Sequence, residues 1–111
     1  MSIRFKSLQE AIDKLPEFFQ PENAEGIDAV IQLEFFGDDG GNWYLTVKDN
    51  TLNVSEGNSD NPTMTITAAA EDWLKVANNE ASPMSLLMQG KIKLQGDMGL
   101  AMKFQNMFSM S

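Results

Sequence analysis

The sequence predicts an α+β fold in which helices cover one face of a sheet. Five short segments alternate apolar and polar residues with a period of two, as a strand with one covered and one wet face does. Segments of helical period open the chain, close it and separate the fourth strand from the fifth. The turns between them are built from Gly, Asp, Asn and Pro. The order is helix, four strands, two short helices, one strand and helix, a layer arrangement rather than an alternating βαβ one.

"SLQEAIDKL" opens the first helix with Ser7 as N-cap and Glu10 three residues on, a capping box, followed by Leu8, Ala11, Ile12 and Leu15 at helical spacing. Pro16 cannot donate to the carbonyl of Ile12, so "PEFFQ" is a separate turn ending by Pro21, and "NAEG" is a loop. "AVIQLEFF" is a strand with Ile31, Leu33 and Phe35 on the covered face and Gln32 and Glu34 on the wet one. After "GDDGGN", "WYLTVKD" turns Trp43, Leu45 and Val47 inward. Asp49-Asn50 reverses the chain into "TLNVSE", with Leu52 and Val54 inward, and "GNSDNP" leads to "TMTITA" with Met64 and Ile66 inward.

The period then changes. "EDWLKVANN" is a short helix with Trp73, Leu74 and Ala77 inward and Thr67 as the nearest capping oxygen. Ser82-Pro83, an N-cap and a first-turn proline, opens "MSLLMQG". "KIKLQ" is the last strand, with Ile92 and Leu94 facing opposite to Lys91 and Lys93, and the closing helix runs from about Met98.

A length of 111 residues is that of one domain, expected over 1–111, and suffices for a real core. With 42% hydrophobic and 22% charged residues, the composition is that of a folded protein. There is no cysteine and no histidine, which removes thiolate chemistry, the usual general base and most transition-metal sites; no metal and no cofactor is expected. The net charge of −8 opposes nucleic acid and broad contact with anionic membranes. No stretch reaches the length of a membrane span and the first residues lack a signal-type apolar core, so a cytoplasmic acidic protein is expected.

Several motifs reduce to simpler chemistry. "GDDGGN" and "EGNSDN" lack the ligand spacing of a calcium loop and are turns. "GDMG" has the bare GxxG of an RNA-binding module, but Gly96 ends a strand and Gly99 sits in a first helical turn. "NVS" at Asn53 is a sequon that means nothing without secretion. Lys91 and Lys93 keep an open sheet face hydrated. The sixteen acidic residues form no paired spacing that singles out a catalytic dyad.

The closing helix is different. At ~100° per residue, Leu100, Ala101, Phe104, Met107 and Phe108 form one stripe, and Met98 and Met102 form a second apolar flank beyond Gln105. Six of the eight methionines lie in residues 84–111, and methionine suits cavities and surfaces whose contents vary. A second apolar contact follows, either a ligand cavity between helix and sheet or another protein.

"QGKIKLQGDMGLAMKFQNMF", residues 89–108, resembles the sterol carrier protein 2 family. Gln89-Gly90-Lys91 and the run from Gly96 to Lys103 match that family's strand and helix signature almost throughout. "NPTMTITA" before "EDWLKV" and the order of elements extend the likeness over nearly the whole chain. The resemblance implies a five-stranded, mainly antiparallel sheet with helices on one face and a C-terminal helix closing an apolar tunnel. It implies carriage, without catalysis, of a fatty acid, acyl-CoA, phospholipid or sterol-like molecule. Ile31, Leu33 and Phe35 would come from the sheet, Leu87, Met88 and Gln89 from the preceding turn, and Leu100, Met102, Phe104, Gln105 and Phe108 from the closing helix. Gln89 and Gln105 would orient a headgroup. Leu87 and Met88 stand where members often have two phenylalanines, which reshapes the tunnel, and "SMS" differs from the peroxisomal tripeptide of eukaryotic members. The competing reading is an interaction or dimerisation module of the same fold with its tunnel filled by side chains. A lipid hydrolase or transferase is disfavoured by the missing His and Cys. Transient membrane contact or a homodimer is compatible with the carrier; integral membrane insertion is not expected.

Overall fold

The computed structural model describes residues 5–78 and 80–108, apart from the side chains of residues 101, 102, 105 and 106. Ser7 Oγ accepts from the Glu10 amide and starts helix α1 (Leu8–Asp13), and the chain restarts as α2 (Leu15–Phe18) with Pro16 in its first turn. A 3₁₀ turn over Pro21–Asn23 occupies part of the expected loop. Strands β1 (Ala29–Phe36), β2 (Gly41–Lys48), β3 (Thr51–Glu56) and β4 (Met64–Ala69) follow, then α3 (Ala70–Ala77), α4 (Pro83–Met88), β5 (Ile92–Gly96) and α5 (Met98–Met107).

The five strands form one sheet in the order β3-β2-β1-β4-β5. All neighbours are antiparallel except the central pair β1 and β4, which run parallel. The register stacks apolar rows across the covered face: Val54, Leu45, Ile31 and Met64 in one, Trp43, Leu33, Ile66 and Leu94 in the next. Asp49 and Asn50, at φ 53° and 60°, make the two-residue hairpin turn between β2 and β3. The rows merge with Leu8, Ile12 and Leu15 of the first helices and Leu86, Leu100 and Met107 of the later ones into a continuous core.

Gln32 departs from expectation. Its position in β1 assigns it to the wet face, yet it is 2% exposed. The segment after β3 folds back over that face, and the side chain pins it there. Gln32 Nε2 donates to the carbonyls of Trp43 and Gly57 (3.1 Å each) and to Asn58 Oδ1, while Oε1 accepts from the Ser59 amide at 2.7 Å. A buried amide so fully bonded bears little of the cost of an unpaired one. Thr67 also differs: it lies in β4 and its hydroxyl reaches Glu34, while α3 starts at Ala70 behind Ala69 as N-cap, with no side-chain cap.

Candidate functional site

The closing helix is positioned by a short stretch of sequence. Gly96 ends β5 at φ 103°, and a Cβ there would collide with the carbonyl of Thr63, so only glycine fits the turn. The next residue caps the helix: Asp97 Oδ1 accepts from the amides of Gly99 (2.9 Å) and Leu100 (3.3 Å), and its own amide donates to Thr63. At the far end, the Gln20 amide donates to the carbonyl of Met107 at 2.6 Å, and Phe19 and Phe108 form an antiparallel bridge. The helix is thus fixed at both ends across β4 and β5.

Burial changes around α5. Leu100 and Met107, seven residues apart and on one side, are buried in the core. Phe104 and Phe108, rotated from them toward the second flank, are half-buried. Met98, on that flank, is half-exposed. The side chains of Met102 and Gln105, both expected at the site, lie outside the described residues.

The half-buried rings continue a chain of aromatic contacts that starts inside the core. Phe35 lies 6.1 Å from Trp43 and stacks on Trp73 at 5.2 Å, with an interplanar angle of 27°. Trp73 meets Phe104 at 6.3 Å, Phe104 meets Phe108 at 5.0 Å, and Phe108 meets Phe19 at 5.8 Å. Six rings from β2, β1, α3, α5 and the end of α2 therefore run from the buried sheet to the surface, each centroid within reach of an aromatic contact. Leu87, Val76 and Leu94 pack partly buried against the same core.

The expected site residues divide by depth. Ile31, Leu33, Phe35 and Leu100 lie in the buried core, and Leu87, Phe104 and Phe108 pack half-buried against it, so these seven belong to one apolar assembly. Met88 does not join them: it is 82% exposed. Gln89 is exposed as well, its Nε2 donating to Ser85 Oγ one helical turn back. Trp73 and Phe19 join the ring run without having been singled out for the site. Trp73 reads as an inward core residue of a short helix, and Phe19 as half of a Phe-Phe pair after a proline; neither pattern carries a long-range partner. Among the described residues no cluster of His, Cys, Asp and Glu could hold a metal ion.

A five-stranded sheet closed by an aspartate-capped terminal helix over an apolar wall defines a small α+β domain. The family model of the SCP-2 sterol transfer family matches residues 8–109, and the chain belongs to that family. It is 29% identical over 106 residues to the hydroxysteroid dehydrogenase-like protein 2 of Rattus norvegicus, covering 95% of this chain but only 20% of the rat protein. The chain spans about a fifth to a quarter of the length of the curated relatives it matches. Among solved structures, sterol carrier protein 2 like 2 from Aedes aegypti superposes with a TM-score of 0.72 at 28% identity, covering 87% of this chain and 89% of that one. The palmitated form of the same mosquito protein gives 0.69 at 25% identity, covering 92% and 91%. No helix among the described residues is long and apolar enough to cross a membrane.

Proposed function

We propose that the chain, as a single domain, binds a hydrophobic acyl or sterol-like ligand in an apolar tunnel between the covered sheet face and α5, and carries it without catalysis. The observation that carries this reading is the half-buried wall formed by Phe19, Trp73, Leu87, Phe104 and Phe108, which continues the core outward between α2, α3, α4 and α5. An ordinary core ends in polar or charged cover; this one ends in rings and a leucine that an acyl chain would complete. The floor would be Ile31, Leu33, Phe35 and Leu100. Met102 and Gln105 would face the ligand from the second flank of α5, and Met88 and Gln89 would stand at the mouth. The palmitated state of the similar mosquito protein supports a long-chain acyl ligand.

Burial of each methylene contributes ~0.8 kcal/mol before the costs of binding, so affinity rises with chain length. A displacement titration of the purified chain with fatty acids and acyl-CoAs from octanoyl to stearoyl tests this. The expected result is a steep gain along the series; flat affinity overturns the tunnel.

A second reading, an interaction or dimerisation module with a filled tunnel, draws on one observation: Ile31, Leu33 and Leu100 sit in a continuous, closely surrounded core. Native mass spectrometry of the freshly purified protein separates the two. Co-purified lipid mass supports the carrier, and a dimer free of adducts supports the module.

A further inference from the structure

We propose that α3 is a hinged flap, held shut by a latch between Asn78 and Phe5, and that its opening admits ligand through the aromatic wall. The helix is weakly anchored. Its two buried residues are alanines, Ala70 and Ala77, while Trp73, Leu74 and Val76 are half-buried. By contrast α1, only six residues long, buries Leu8, Ala11 and Ile12. α4 and α5 start on side-chain caps from Ser82 and Asp97, whereas α3 follows directly on β4 at Ala69 with none. The joint at Ala69 and Ala70 carries no large side chain to resist rotation, and element ends of this kind absorb the dihedral change of a hinge.

The far end of α3 is held by one side chain. Asn78, its C-cap, accepts from the Phe5 amide at Oδ1 (2.6 Å) and donates from Nδ2 to the Phe5 carbonyl (3.0 Å), 73 residues away in the chain. Phe5 is itself fixed. Its ring is buried edge-on to Phe18, in a small cluster with Ala11, Ala77 and Leu74 that is separate from the main core. Beside the latch, an open cleft of about 470 Å³ is lined by Phe5, Leu74 and Asn78. Water can therefore replace both hydrogen bonds when the latch parts, and each holds α3 only by the modest net amount of an exchanged bond. A swing about Ala69 and Ala70 would draw Trp73 away from Phe35 and Phe104, the two rings it joins. The sheet face beneath would open to ligand while α5, fixed at both ends, stays in place. The passage of ligand rests on the carrier reading; the opening of the latch does not.

Amide hydrogen exchange of the ligand-free chain tests the latch, and stopped-flow mixing with palmitate tests the passage. Asn78→Ala should raise exchange at Trp73, Leu74 and Val76 by about tenfold while α1 and the sheet keep their wild-type rates. Palmitate association and dissociation should both quicken by a similar factor. The dissociation constant should stay the same, because the latch is closed in the free and the loaded chain alike. Asn78→Asp, which keeps an acceptor for the Phe5 amide and loses the donor, should fall between the wild type and Asn78→Ala. Ser82→Ala, which removes the cap of α4, should change neither exchange in α3 nor the palmitate rates. Wild-type exchange of α3 in both Asn78 variants, or equal acceleration in α3, α1 and the sheet, overturns the latch. Faster exchange in α3 with unchanged palmitate rates overturns the passage. So does faster palmitate entry in Ser82→Ala alone, which assigns the opening to α4. A flat acyl titration removes the carrier and the passage with it, and the exchange measurement then decides the latch by itself.

Discussion

Phe108 and Phe19 meet twice, through an antiparallel backbone bridge and through rings 5.8 Å apart at 57°. With the Gln20-to-Met107 hydrogen bond, this contact ties the end of the terminal helix to the segment after α2, almost ninety residues earlier in the chain. The wall of the candidate tunnel is therefore held by its last turn and not only by its packing on β4 and β5.

Phe108→Ala is expected to loosen that closure. A fully buried Phe→Ala change costs 3–5 kcal/mol, and the half-buried ring should cost about 2 kcal/mol in urea unfolding. Amide exchange at the C-terminal turn of α5 should accelerate more than exchange in the sheet, and acyl affinity should fall. Uniform acceleration across the sheet would show that the ring supports the whole core rather than the closure.

Gly96→Ala tests the hinge that aims α5. The substitution requires a left-handed residue and drives a Cβ into the Thr63 carbonyl, so a loss of about 3–4 kcal/mol is expected from strain plus overpacking. Gly90→Ala is the control: its φ of 78° carries the same conformational penalty, but the space around it is open, and about 1–2 kcal/mol is expected. Equal losses would mean that the close approach to Thr63 relaxes without cost.

Gln32→Leu should act on the other face of the sheet. It removes the partners of the Gly57 carbonyl and the Ser59 amide together, and about 2–4 kcal/mol of stability should be lost. The Ser59 amide should lose exchange protection, and acyl affinity should stay at the wild-type value because Gln32 points away from α5. A change in affinity would place the loop after β3 in contact with the ligand path.

Gln32 also shows where local reading stops. Ile31, Leu33, Phe35, Trp43, Leu45 and Val47 are legible as core because alternation with period two fixes which side of a strand each residue takes. The same rule assigns Gln32 to water, because no local pattern says that a loop twenty-five residues on will cover it. The caps at Ser7 and Ser82 are legible because capping is chemistry within four residues. The parallel pairing of β1 with β4 is not, since alternation is the same whatever the neighbour. At the site, the wide apolar arc of α5 is a local signal, and the graded burial from Leu100 to Phe104 and Phe108 gives it a physical form. The contact of Trp73 with Phe104 joins two helices that a further helix and a strand separate in the chain, and no spacing in the sequence announces it.

Trp73 allows the ligand site to be observed directly. The chain has two tryptophans: Trp43 is buried in the sheet, and Trp73 lies half-buried between Phe35 and Phe104. An acyl chain completing the aromatic wall would dry the indole of Trp73 and leave that of Trp43 as it is. Palmitate should therefore shift tryptophan emission to the blue in the wild type and in Trp43→Phe, and not in Trp73→Phe. Leu45→Ala supplies the contrast, because Leu45 is fully buried in β2 and lies outside the proposed site: it should cost about 3 kcal/mol of folding stability and retain the spectral shift. A shift that persists in Trp73→Phe would place the ligand away from the α3–α5 wall. A shift absent from every protein, with palmitate binding measured independently, would do the same.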